Sequence, residues 1–168
     1  CHAEHMARSV REHFRSFLYG DAADWIGRIS ANIDHVRAAS RWCLGPGNVP
    51  LLALRLAVFA GPIWSESPYL TVQEPMIQIG VARQILGDRI SAELSPYLDF
   101  WDCLRDMYLG AVGNGDKAIL LSKRLDAVGE PVLALGALWM GFGSRITTLP
   151  PDQVDRETAE AEAQARAI

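Results

Sequence analysis

Cysteine is scarce in this chain: Cys1, Cys43 and Cys103 are the only three in 168 residues. An odd number with no short spacing builds no disulfide framework. The expectation is a reduced, cytoplasmic protein with Cys43 and Cys103 as small core residues. Positive charge is not in excess either. The net charge is −4 and the isoelectric point about 5.5. Gripping a nucleic-acid backbone needs a basic stripe, so no direct nucleic-acid contact by this segment is expected. Long apolar runs are missing too. The longest, Leu51 to Trp64, is broken by Arg55 and has Pro62 near its end. It falls short of the ~20 residues of a membrane span, so it reads as a buried helix and no membrane partner is expected. No leader is visible, because His2, Glu4, His5 and Arg8 stand where an apolar run would be.

What remains is an ordinary globular composition, 49% hydrophobic and 21% charged, too apolar for disorder. Helix patterns dominate it. The first runs from about His2 to Leu18, with Met6, Val10, Phe14 (or His13) and Phe17 on one face and a stop at Tyr19-Gly20. The clearest pattern is Ala23 to Gly47, where Trp25, Ile29, Ile33, Val36, Ala39, Ser40 and Cys43 fall on one stripe. Asp21 or Asp24 would cap this single helix, and Gly45-Pro46-Gly47 would end it.

Asn48 would cap the apolar helix from Pro50 to about Trp64, which should lie between other helices. A helix over Tyr69 to Leu86 carries Leu70, Val72, Met76, Ile77, Ile79 and Val81, with Pro75 predicting a kink or a late start. Another runs from Ser91 or Ser95 to Val112, with Leu98, Trp101, Leu104, Met107 and Tyr108 as its apolar positions. Asp116 would cap Lys117 to Val128. Gly129-Glu130-Pro131 separates that helix from Val132 to Ile146, and Pro150-Pro151-Asp152 starts a last helix rich in Ala, Glu and Arg. That makes eight helices and no strand. From Asp21 onward they group in pairs at roughly 35 to 45 residues, a spacing that suits a helical-repeat solenoid.

Four groupings invite a chemical reading. Cys1, His2 and His5 offer metal-ligand atoms, and residues three apart share a helix face, but a site wants three or four ligands and only Glu4 and His13 are near enough to add. They read as a solvated first turn. Gly110 to Lys117 resembles a phosphate loop only in its glycines. Asp116 stands where Lys-Ser/Thr should follow, and a helix precedes where a strand is needed. Asp99, Asp102 and Asp106 recur at helical spacing and read as a solvated acidic face, paired with Arg105. The five tryptophans, Trp25, Trp42, Trp64, Trp101 and Trp139, sit mostly at core spacing. No nucleophile has a recognisable local motif. The expectation is no enzyme, with no catalytic, cofactor-binding or metal-binding residue to name.

The chain resembles a known family on the residues His2-Ala3-Glu4-His5, Trp25-Ile26, and Ile33-Asp34-His35-Val36-Arg37-Ala38-Ala39-Ser40-Arg41-Trp42, followed by the Gly45-Pro46-Gly47 turn. Leu51 to Trp64 and Leu125-Asp126 to Trp139 extend the likeness. It is similar to the degenerate tetratricopeptide-like helices that follow an NB-ARC-type signal-transduction ATPase in bacterial winged-helix or LuxR-type transcriptional regulators. His35 and Ser40 depart from the Asn and Leu of that pattern. ATPase motifs and a DNA-reading helix are not in this chain, so the resemblance implies a regulatory arm only.

The resulting expectation is an all-α fold of antiparallel helix pairs stacked as a degenerate tetratricopeptide-like solenoid. Residues 1–168 would form a single helical-repeat domain, with 1–20 a linking helix and 21–168 the pairs. Both ends read as cuts in a larger protein. The expected function is a non-enzymatic, signal-sensing interaction segment of an ATP-dependent transcriptional regulator. It would carry no cofactor, and its partner would be another protein or the regulator's own ATPase domain, with a small-molecule inducer as a further candidate. The alternatives are a small-molecule-binding helical domain with a Trp-lined pocket, and an enzyme of ferritin-like or terpenoid-helical type, which needs Glu-x-x-His pairs or Asp-rich helices facing inward.

Overall fold

A computed structural model of the chain describes residues 2–20, 27, 31–61, 73–109 and 115–166. Among them lie eight α-helices and no strand. They divide into two compact units, residues 1–91 and 92–168.

In the first unit, α1 is His2–Tyr19, α2 Ile33–Leu44, α3 Pro50–Phe59 and α4 Gln73–Leu86. Helix α3 is apolar almost all round, and it packs against α1, α2 and α4. Ala53, Leu54, Leu56, Val58 and Ala60 are fully enclosed. Helix α1 buries Ala3, Met6, Ala7, Val10 and Phe14, a stripe with steps of three and four residues. Phe14 meets Phe59 edge-to-face at 5.5 Å, and the Arg11 guanidinium lies 5.4 Å above the same Phe59 ring.

Two local expectations differ from the structure. The helix expected to run unbroken from Ala23 restarts at Ile33. Ala31 and Asn32 form a turn, and the Asn32 carbonyl accepts the first bonds, from the His35 and Val36 amides. Trp25 and Ile29 lie outside the described residues. The cap of α3 is Val49, not Asn48. Asn48 instead takes a left-handed conformation, φ 47°, to turn the chain, a role its short polar side chain tolerates. In α4 the buried residues are Pro75, Ile79, Ala82 and Leu86, whereas Ile77, Val81 and Ile85 face outward. Pro75 is the third residue of α4, and its predicted entry segment lies outside the described residues. The helix ends where Arg89 folds back and donates to the carbonyls of Ile85 and Leu86.

The second unit holds α5 (Ser95–Tyr108), α6 (Gly115–Ala127), α7 (Pro131–Ile146) and α8 (Pro151–Ala165). Helices α6 and α7 form a tight antiparallel hairpin, with the first residue of α6 against the last turns of α7. A Cβ on Gly141 would stand 2.9 Å from the Gly115 carbonyl oxygen and 2.7 Å from Ile119, so only glycine permits this crossing. Gly129, at φ 80°, makes the turn between the two helices. Helix α5 packs on both, and α8 on α7. Helix α6 begins at Gly115, which places Asp116 inside the first turn rather than at the cap. There its charge still opposes the helix dipole favourably.

Candidate functional site

The acidic trio of α5 is built into ion pairs. Arg105 donates to Asp102 at 3.0 Å and to Asp106 at 2.8 Å, and Arg124 of α6 donates to Asp99 at 2.6 Å. The pairing with Arg105 expected from spacing is therefore present, and Arg124 adds a link across to α6. The Arg105 guanidinium is held charged more firmly than usual, chiefly by its bond to Asp106. Between these carboxylates Cys103 is half-buried. Burial raises its thiol pKa first, and Asp106, Asp102 and Asp99 add to the rise. A thiol so placed is a poor nucleophile.

The histidines of α1 do not converge on a metal. His13 Nδ1 donates to the Ser9 carbonyl of its own helix at 2.6 Å. His2 meets His35 of α2 edge-to-face at 5.7 Å. Among the described residues no cluster of three or more His, Cys, Asp or Glu could hold a metal ion. Cys1 and residues 110–114 of the glycine-rich segment fall outside the described residues.

The polar run of α2 has a structural job. Arg37 reaches across to α4 and grips both oxygens of Glu74, Nε to Oε1 at 2.9 Å and Nη2 to Oε2 at 2.8 Å. This fork–carboxylate geometry raises the Arg37 pKa.

Two buried carboxylates escaped the reading of the sequence. Glu130, in the turn before α7, is 5% exposed and accepts a 2.6 Å bond from the Tyr97 hydroxyl. Glu157 of α8 is 7% exposed and accepts from Arg145 of α7 at 2.7 Å. Neither has a sequence signal beyond lying where helices meet.

The tryptophans divide. Trp101 is buried as expected, at 5% exposure. Trp42 and Trp139, placed in the core by their spacing, are 43% and 70% exposed. Trp25 and Trp64 lie outside the described residues. The exposed pair stand at apolar clefts. In the first unit, Trp42 with His2, Ala3, Ala38 and Ala39 lines one of about 260 Å³ between α1 and α2. In the second, a cleft of about 330 Å³ runs between α7 and α8. Leu135, Leu138, Trp139, Phe142, Gly143 and Ile146 form its α7 side, and Thr158, Ala161, Glu162 and Ala165 its α8 side.

The α7–α8 cleft arises from composition. Helix α7 is apolar on nearly every side from Pro131 to Ile146. Its inner face is used against α5 and α6, and α8 covers only part of the rest. Helix α8 is mostly polar and itself buries little but Glu157. Val132, Leu135 and Trp139 are left exposed at i, i+3 and i+7. The end of α5 behaves similarly. Met107 and Tyr108, two of its apolar positions, are 39% and 61% exposed.

The chain matches no family model, no curated protein and no solved structure. Among the described residues no helix is long and apolar enough to cross a membrane.

Proposed function

We propose that this chain is a non-enzymatic interaction segment that regulates an ATP-dependent cytoplasmic transcriptional regulator of the NB-ARC type. Its helix pairs would stack as a degenerate tetratricopeptide-like solenoid. The observation that carries the interaction role is the apolar α7–α8 cleft, with Trp139 standing 70% exposed on its wall. Exposed aromatic residues beside apolar clefts are the usual anchors of protein contacts. The tight α6–α7 hairpin is the kind of unit that such arrays repeat. The resemblance of His2–His5 and Ile33–Trp42 supplies the regulator context. The mechanism is a population shift. A signal that binds the released arrangement better than the inhibited one frees the ATPase, to the extent of its differential affinity.

The test is the coding sequence around this segment and its enzymology. A nucleotide-binding loop upstream, together with ATP turnover that rises when residues 1–168 are deleted, is the expected result. A reading frame without such a loop, or turnover indifferent to the deletion, overturns the proposal.

A second reading, small-molecule binding, is favoured by one observation: each described cleft is apolar and has one tryptophan on its wall. It expects saturable quenching of indole emission by a small apolar ligand, abolished by Trp139→Phe or Trp42→Phe. Quenching that both variants retain would exclude it.

A further inference from the structure

We infer that the α7–α8 cleft receives an amphipathic helix with a row of Lys or Arg along one edge, supplied by a partner protein. This deepens, and rests on, the interaction reading above.

Shape comes first. Leu135, Trp139, Phe142 and Ile146 succeed one another at steps of four, three and four residues along α7. They span twelve residues, eleven steps of about 1.5 Å that make about 16 Å, roughly three turns. Across from them Thr158, Ala161, Glu162 and Ala165 follow the same periodicity. The groove is therefore elongated and has the repeat of a helix. Gly143, Ala161 and Ala165 are small, which lets another backbone come close. Both walls are helices whose backbone groups are bonded internally, so an added strand would find no ladder to extend. An apolar helix face, set by i, i+3, i+4 and i+7 anchors, is the matching shape.

Charge then selects the kind of helix. The α7 wall carries no charged residue from Pro131 to Ser144. Helix α8 carries five acids against one base, Arg156; Glu157 is buried against Arg145, which leaves Asp152, Asp155, Glu160 and Glu162 exposed. Glu162 lines the cleft, and Asp155, seven residues earlier, falls on the same edge of the helix; both are exposed. Arg166 meets Glu162 at 3.0 Å, with both side chains well exposed to solvent. Such a pair is weak and exchanges readily for a partner's cation. One wall is thus apolar and the opposite lip acidic, which favours an incoming helix with apolar residues on one side and bases along one flank.

The experiment measures anisotropy of two labelled helical peptides with the whole 168-residue chain. Both carry the same Leu/Ile face; one is flanked by Lys and the other by Glu. The Lys-flanked peptide is expected to bind about tenfold tighter at low salt, with the preference shrinking as salt screens the lip. Trp139→Ala should weaken it about thirtyfold, as loss of a central aromatic anchor does. Leu135→Ala is a second probe of the same wall. Asp155→Lys with Glu162→Lys should invert the preference. These side chains are all exposed, and circular dichroism checks that helicity is kept. Equal binding of the two peptides, binding indifferent to both wall variants, or an apolar dye that saturates the cleft while neither peptide binds would each overturn the inference. ATP turnover is a separate readout, so peptide binding without regulation defeats only the regulatory reading, and regulation without peptide binding defeats only this one.

Discussion

Glu130 stands in Gly129-Glu130-Pro131, a stretch that reads as punctuation between two helices, and yet its carboxylate is among the most enclosed polar groups described. The bond from the Tyr97 hydroxyl at 2.6 Å ties α5 to the start of α7. Tyr97→Phe removes that donor while keeping the ring. Leaving a buried acceptor with one partner fewer costs about 1–3 kcal/mol. Urea denaturation should show a lower midpoint with an unchanged slope; a midpoint equal to that of the parent would show the bond to be idle. Cys103 offers a second residue-scale check. Burial, followed by the neighbouring carboxylates, raises its pKa. The thiolate is the reactive form, so at any pH below that raised value the thiolate fraction is smaller than in an unburied cysteine. Alkylation of Cys103, followed by mass spectrometry of its peptide, should be slow at pH 8 and gain speed at more alkaline pH than a free thiol does. Asp106→Asn should shift that profile toward lower pH. A Cys103 as fast as free cysteine would contradict the burial.

At the scale of elements, the α6–α7 hairpin is held by a crossing that only glycine allows. Gly141→Ala forces a methyl against the Gly115 carbonyl and Ile119. The helices must part, at a cost of about 1–3 kcal/mol for an overpacked contact. Gly80 in α4 is the control, because a Cβ there meets nothing within 4 Å. Gly80→Ala should stabilise by about 1 kcal/mol, through helix propensity and a less flexible unfolded chain. Thermal melts of the two variants should move in opposite directions, and a parallel shift would refute the account. Periodicity made most helices visible. Val36, Ala39, Ser40 and Cys43 are buried on the stripe their spacing requires, and α3, apolar but for Arg55, lies among three neighbours. Periodicity failed where a helix has more apolar surface than its neighbours can cover. Ile77, Val81, Met107 and Trp139 keep core spacing but face outward.

At the scale of the whole molecule, the helices fall into two units, residues 1–91 and 92–168, each with its own enclosed side chains. Val36, Leu54, Leu56 and Val58 belong to the first, and Leu94, Leu125, Ala134 and Leu138 to the second. Expressed separately, each fragment should melt cooperatively by circular dichroism, with a stability of only about 3–5 kcal/mol, because chains this short bury modest cores. A fragment whose helical signal declines without a transition would mean that its core needs the other half. The sequence by itself determined that the protein is helical, where most helices stop, and that Asp102 and Asp106 are tied to Arg105. These are local properties: the apolar period, Gly and Pro at the ends, and charges three or four residues apart. Only the tertiary structure decided which apolar faces stay uncovered, and that Arg37 joins Glu74, Tyr97 joins Glu130 and Arg145 joins Glu157. It alone placed Trp139 on the open wall of a cleft. Burial depends on which helix lies opposite, and no single-helix pattern carries that information.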